Sequence, residues 1–254
     1  MMKRLSYHLN LIRTLSLIDF KFKYYGTFLG ILWSLLKPFL MFLTLYIIFS
    51  KILQLKAQHY AYQLLLGIII WNFFADFTKE AMKSFKSKYQ ILNNIKVNPL
   101  DIILVVLGHS LLSFIINLGI FFIILNFELP ISFNLKYFLL ILLFLIFFSL
   151  GVSLIITPFY LRFSDVEHIW DVILQLLFWA TPITYGVSFI PQKYIFLHLL
   201  NPLSITINSL RSIIIFKELP IVREILFSFG LTFCTFIVGL LIFQKLTPKF
   251  LEYL

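Results

Sequence analysis

The chain reads as long apolar blocks separated by short polar segments. A helix needs about 20 mostly apolar residues to cross the hydrocarbon of a membrane. Six blocks reach that scale: residues 28–50, 60–77, 100–125, 137–161, 169–189 and 225–243. A seventh, 196–216, is apolar but broken by Asn201-Pro202, Ser204, Thr206, Asn208, Ser209 and Arg211. Polar groups against lipid are costly, so this block is read as interfacial or re-entrant on the outer side. Residues 3–24 are patterned differently. Lys3, Ser6, Asn10, Arg13, Thr14 and Lys21 share one arc at helical spacing, and Leu5, Leu9, Ile12, Leu15, Ile18 and Phe22 share the other. Leu17, Arg4, Asp19 and Lys23 break the pattern. It predicts an amphipathic helix lying on the membrane, with an ordinary charged flank to the first span as the alternative.

Charge orients these elements. With the N-terminus inside, 13 of the 21 Lys and Arg fall on inner segments, seven on outer ones, and Lys37 within the first span. That asymmetry places both termini in the cytoplasm. Composition then removes other classes. Hydrophobic types make up 61% of the 254 residues and charged types 13%, where a soluble domain carries about 25% charged. The net charge of +10 follows from positive inner loops and implies no nucleic-acid partner. Cys234 is alone, so there is no disulfide framework, and the five His show no ligand spacing, so no metal site is expected. Residues 1–25 lack the features of a cleavable signal peptide.

No Gly precedes a Lys, which excludes a phosphate-cradling loop, and no Gly-x-Ser-x-Gly, His-Glu-x-x-His or paired intramembrane carboxylates occur. No catalytic residue is expected. Uphill movement would need a partner or an ion gradient, and nearly charge-free spans without an internal repeat speak against the gradient.

Four motifs remain. The first is Lys21-Phe22-Lys23-Tyr24-Tyr25-Gly26, running into Leu29-Gly30-Ile31-Leu32-Trp33 and Lys37-Pro38. Then come Leu66-Gly67 with Trp71-Asn72-Phe73-Phe74, Thr181-Pro182-Ile183-Thr184-Tyr185, and Asn201-Pro202-Leu203 followed by Arg211. In this order and over the whole chain they resemble the membrane subunit of ABC-2-type polysaccharide exporters, which carry lipid-linked O-antigen, capsule or teichoic acid. Ser164 stands where that family carries Arg before Asp165, and Val97-Asn98-Pro99 replaces its aromatic-Pro pair.

The resemblance implies an all-α fold with six spans, an N-terminal interfacial helix and a short helical hairpin before the last span. As a single domain it divides into a gate helix (1–27), spans one to five (28–189), an extracytoplasmic hairpin (190–224), and span six with its tail (225–254). It implies a homodimer in a bacterial cytoplasmic membrane, with two copies of an ABC ATPase that bind ATP and Mg, no cofactor on this chain, and a lipid-linked polysaccharide substrate among membrane lipid. It makes 81–99 a coupling helix for the ATPase, with Lys83, Phe85, Lys86, Lys88, Tyr89, Lys96 and Pro99. Arg13, Lys21, Lys23, Tyr24 and Tyr25 become the substrate entrance, and Asn201, Pro202 and Arg211 an exit cap.

Other assignments rest on residue chemistry. Lys37-Pro38 puts a charge and a helix bend deep in a span, so Lys37 either lines the transport path or snorkels to the inner interface. Trp33, Trp71, Trp179 and Tyr185 are path candidates whose ring faces suit sugars; interface belts are the plainer use. Arg162, Asp165 and Glu167, with His168 and Asp171, form a cytoplasmic ion-pair network. Gly26 and Gly30 permit close helix packing. An exporter of drugs or small lipids, and an intramembrane lipid-linked glycosyltransferase, are the two competing functions.

Overall fold

The computed structural model describes residues 2–24, 30–88 and 98–250. Among them every regular element is helical: α1 Met2–Tyr24, α2 Trp33–Tyr46, α3 Tyr60–Ser87, α4 Pro99–Asn126, α5 Leu135–Arg162, α6 Val166–Ala180, α7 Ile195–Leu200, α8 Pro202–Arg211 and α9 Val222–Phe250. The protein is an all-α membrane protein. Helices α3, α4, α5 and α9 are each long and apolar enough to span, as is Trp33–Ile52, where α2 continues through a wide turn at Ile47–Ile52.

Starts and stops follow the sequence. Asn98 and Asn201 each cap a helix with the side-chain oxygen, and a proline fills the first turn behind each, where its missing N–H costs nothing. Pro38 lies inside α2 and, having no N–H, leaves the Ser34 carbonyl without its helical donor. The Asn117 side-chain amide, on α4, donates to that carbonyl at 3.3 Å.

Helix α3 is the hub, packed against α2, α4, α5, α6 and α8. Its most apolar stretch is 67% buried, against 11% for α2 and 22% for α9, so α2 and α9 are peripheral. Lipid supplies no hydrophobic drive between spans, so close backbone approach must. The pair α5 and α9 shows it: a Cβ on Gly151 would lie 2.8 Å from the Phe236 backbone nitrogen, and one on Gly239 would strike the Gly151 carbonyl.

Two expectations change. The fifth span is not a continuous helix over 169–189: α6 has 15 residues and ends at Ala180, because Pro182 forces Thr181 out of helical geometry, to φ −94° and ψ 133°. The segment 81–87 is not a separate surface helix but the last turns of α3. The broken block is a helical pair, as its polar interruptions lead one to expect: Gln192–Leu200 and Pro202–Phe216 meet at 99°. Gly26 lies outside the described residues.

Candidate functional site

Two polar clusters stand out among the described residues, one towards each end of α3. The first is at its C-terminal end, the basic side. There α1 lies across α4: Ser16 is buried and donates to the Val105 carbonyl at 3.0 Å, and His8 pairs with Asp101 at 2.6 Å. Gly108 makes this crossing possible, since a Cβ there would strike Ser16 Oγ. Gly108→Leu is therefore expected to lift α1. In a Cys234→Ser background, a cysteine at Ser16 should be shielded from maleimide, and Gly108→Leu should raise its labelling rate several-fold.

Beyond that crossing, charges tie α1 and α2 to α3 and α4. Lys23 donates to Glu80 and Lys37 to Asp76, both at 2.6 Å. Glu80 also contacts His109, and Asp19 pairs with Lys88. Lys23, Lys37, Asp76 and Glu80 border a cavity of about 640 Å³ that Trp33, Pro38, Asn72, Ser110 and Asn117 also line. The structure thus brings Lys23, Trp33, Lys37 and Pro38 together. Trp71 is elsewhere, buried edge-on against Phe178 at 5.5 Å. Trp179 is exposed, and its carbonyl accepts from the Tyr185 hydroxyl at 3.0 Å.

The lysines of 81–88 have partners within the chain. Lys83 pairs with Glu167 at 2.5 Å, and Lys79 with Asp171 at 2.6 Å. The Lys83 ammonium hydrogen-bonded to Glu167 holds that carboxyl below the usual carboxylate range. Tyr160 donates to Glu167 at 3.2 Å, and Lys86 stands 4.2 Å over the Tyr160 ring. Glu167 and Asp171 are thus joined to α3, while Arg162 stacks over Phe163 at 5.7 Å and Asp165 is exposed. Phe85 is fully buried against Phe243 and presents no face to a partner chain. Arg13 and Lys21 are exposed on α1. Pro99 opens α4. Tyr25, Tyr89, Lys96 and the Tyr24 side chain lie outside the described residues.

The second cluster, at the N-terminal end of α3, gathers three of the four sequence motifs into one structure. Arg211 is 3% exposed. Its Nε donates to the Gln63 carbonyl, Nη1 to Pro182 and Tyr185, and Nη2 to Gln63 and Ile183, at 2.7–3.4 Å. A guanidinium has five N–H groups, so all five are used and none remains for a ligand. Gly67 is where the fork fits, because a Cβ there would lie 3.0 Å from Arg211 Nη2. Tyr60 donates to the Thr184 carbonyl at 2.9 Å, and Asn201 donates to Thr181 at 2.8 Å while capping α8. This cluster is a clamp on the non-helical 181–185 segment. The sequence signal was present, in the order Gly67, Pro182, Asn201, Arg211, but not its convergence. Asp76, Glu80, Ser110 and His109 escaped the sequence reading, since single polar residues in apolar runs do not reveal their partners.

Apolar helices long enough to span a membrane, packed around a charged cavity, with a helix pair bent by 99° towards the opposite end of α3, define a multi-pass membrane protein. A family description of ABC-2 type transporters matches residues 10–215, and the chain belongs to that family. It is similar to two proteins of Klebsiella pneumoniae named O-antigen export system permease protein RfbA, at 29% and 28% identity over 98% of this chain and 97% of theirs. A Myxococcus xanthus protein of the same name is 22% identical over 80% of this chain and 79% of its own.

Proposed function

We propose that this protein is the membrane-spanning permease subunit of an ATP-driven exporter that moves a lipid-linked polysaccharide across the cytoplasmic membrane of a bacterium. The observation that carries the reading is similarity over nearly the full length to proteins named as O-antigen export permeases. The chemistry is compatible: ionisable residues at membrane depth mark transport paths by default, and Lys37, Asp76, Lys23 and Glu80 stand together at one cavity. The basic side, with α1 and the C-terminal ends of α3 and α9, faces the cytoplasm.

The remaining parts follow the family pattern. Two copies of this chain form the transporter, joined along peripheral faces such as that of α2, where Phe39, Leu40, Leu43 and Ile47 are exposed. An ABC ATPase, two copies with ATP and Mg, docks on the basic side. Because Lys83, Lys86 and Phe85 are engaged inside the chain, its contact falls on the connection between α3 and α4. The Arg211 clamp and the α7–α8 hairpin cap the outer side.

Affinity capture through a tag at Leu254, after mild extraction from the native host, is expected to bring down a Walker-A ATPase in about equal amount. A homo-oligomer without any ATPase under crosslinking would overturn the reading. Lys37→Gln should lower surface polymer several-fold at unchanged protein level in the membrane; full export would remove Lys37 from the path.

A further inference from the structure

Helix α7 is anchored by one buried side chain. Its residues Ile195, Phe196, Leu197 and Leu200 are exposed, and His198, at 2% exposed, is the buried residue among its six. Such an anchor is ordinarily apolar, since leucine and phenylalanine are fully buried more often than histidine. Here it is of the residue type whose ordinary change of charge falls between about pH 5 and 8.

The two ring nitrogens face two other helices. Nδ1 meets the Ser204 hydroxyl of α8 at 2.5 Å. Nε2 stands 3.7 Å from a carboxylate oxygen of Glu224, in the first turn of α9, and has no hydrogen-bond partner. An N–H···O bond closes at about 2.7–3.2 Å, so this second contact is aimed but not made. In the neutral ring one nitrogen carries hydrogen and the other a lone pair. Ser204 then donates to Nδ1, because the opposite tautomer would turn the Nε2 lone pair on the Glu224 carboxylate. Nε2–H is left buried and unpaired, which is costly. In the protonated ring both nitrogens donate. Ser204 turns to accept from Nδ1, and Nε2–H faces an opposite charge with which a small approach of α9 makes a charge-assisted bond. The start of a helix also favours the anionic form of Glu224.

No other charge competes for the ring. Helix α7 packs against Gln192–Tyr194, α8 and α9. In the first, Lys193 stands over the Tyr194 ring at 5.7 Å. On α8 the other ionisable group is Arg211, engaged with backbone carbonyls. Lys217, Glu218 and Arg223 are exposed between α8 and Glu224, and Cys234, Lys245 and Lys249 lie further along α9. Glu224, with its side chain 17% exposed, gives a proton from solvent a way in.

We propose that His198 and Glu224 form a proton-operated latch: protonation of the ring fastens the α7–α8 hairpin to the first turn of the last span, and deprotonation releases it. The hairpin is thus held in acid and freed as the pH rises. The export reading enters only by placing the hairpin on the outer side, where the proton is that of the surroundings rather than of the cytoplasm.

The test is hydrogen exchange of the α7 backbone, read by mass spectrometry on the full-length protein in detergent. Glu224→Gln is measured beside the unmodified protein at each pH, so that the intrinsic dependence of exchange on pH cancels. At about pH 8 the two should exchange alike and melt alike. At about pH 5 the unmodified protein should exchange about tenfold more slowly, the effect of one charge-assisted hydrogen bond. His198→Gln leaves Ser204 a partner and removes the titration, so it should match Glu224→Gln at both pH values. A ratio of unmodified protein to Glu224→Gln that does not change with pH overturns the latch. A ratio of His198→Gln to Glu224→Gln that does change overturns its assignment to this pair. Export is scored separately, as surface polymer in media of the two pH values, where acid should lower it several-fold relative to Glu224→Gln. If exchange responds to pH and export does not, the link between latch and export is overturned. If exchange is indifferent while polymer still reaches the surface, the latch fails and the export reading stands.

Discussion

Replacing Arg211 with methionine is expected to prevent the folded protein from accumulating. Methionine fills similar volume and removes a buried charge, which by itself would stabilise. It also leaves the carbonyls of Pro182, Ile183 and Tyr185 without the donors they have here. A buried acceptor left unpaired costs about 1–3 kcal/mol, so three of them cost several kcal/mol, a large share of a typical folding stability of about 5–15 kcal/mol. Arg211→Lys keeps the charge but not the planar fork. It should accumulate and melt lower than the unmodified protein. Size-exclusion chromatography of detergent extracts after graded heating reads both variants, and a wild-type melting curve for Arg211→Met would show that the clamp contributes little.

The second large effect is expected at the crossing of α5 and α9. A methyl group at Gly239 meets the Gly151 carbonyl, and one at Gly151 meets the Phe236 backbone. In both cases the obstacle is backbone, which cannot rotate away as a side chain can. Overpacking of this kind costs about 1–3 kcal/mol, and here it must push whole helices away from each other. Gly151→Ala and Gly239→Ala should each lower the melting temperature clearly. Together they should cost less than the sum, because helices already separated by one methyl accommodate the second. Gly119→Ala and Gly230→Ala meet nothing within 4 Å and should be near neutral. Equal effects at all four glycines would mean that helix propensity, not packing, sets the response.

Much of this architecture was legible in advance, for physical reasons. Four of the spans are set by the length of their apolar runs, and Asn201-Pro202 announces a helix start by chemistry that needs no tertiary partner. The early end of α6 was legible in principle at Pro182, but the apolar run continues to Phe189 and length alone overrides the signal. The glycine contact left a fainter trace: Ser149 and Ser153 bracket Gly151, and Thr235 precedes Gly239 by four, the spacing of small residues at helix contacts. The candidate site was half legible. Lys37 declares itself as a charge in an apolar span, whereas Asp76 and Glu80 become its neighbours only when α2 folds against α3. The basic run at 83–88 misled in the other direction, since its lysines turn back onto Glu167, Tyr160 and Asp19.

The short α6 has a consequence for the lipid around it. Fifteen residues at 1.5 Å each make a helix about 22 Å long, against about 30 Å of hydrocarbon in an average bilayer. Its outward residues, Ile169, Val172, Ile173, Leu176 and Trp179, are exposed, while the chain beyond it at Thr181, Ile183 and Thr184 is buried. Acyl chains beside α6 therefore meet a hydrophobic wall about 8 Å too low, and the bilayer answers such a mismatch by thinning. A bilayer around this chain is expected to be thinnest along that flank, which would shorten the apolar distance that any polar molecule must travel there.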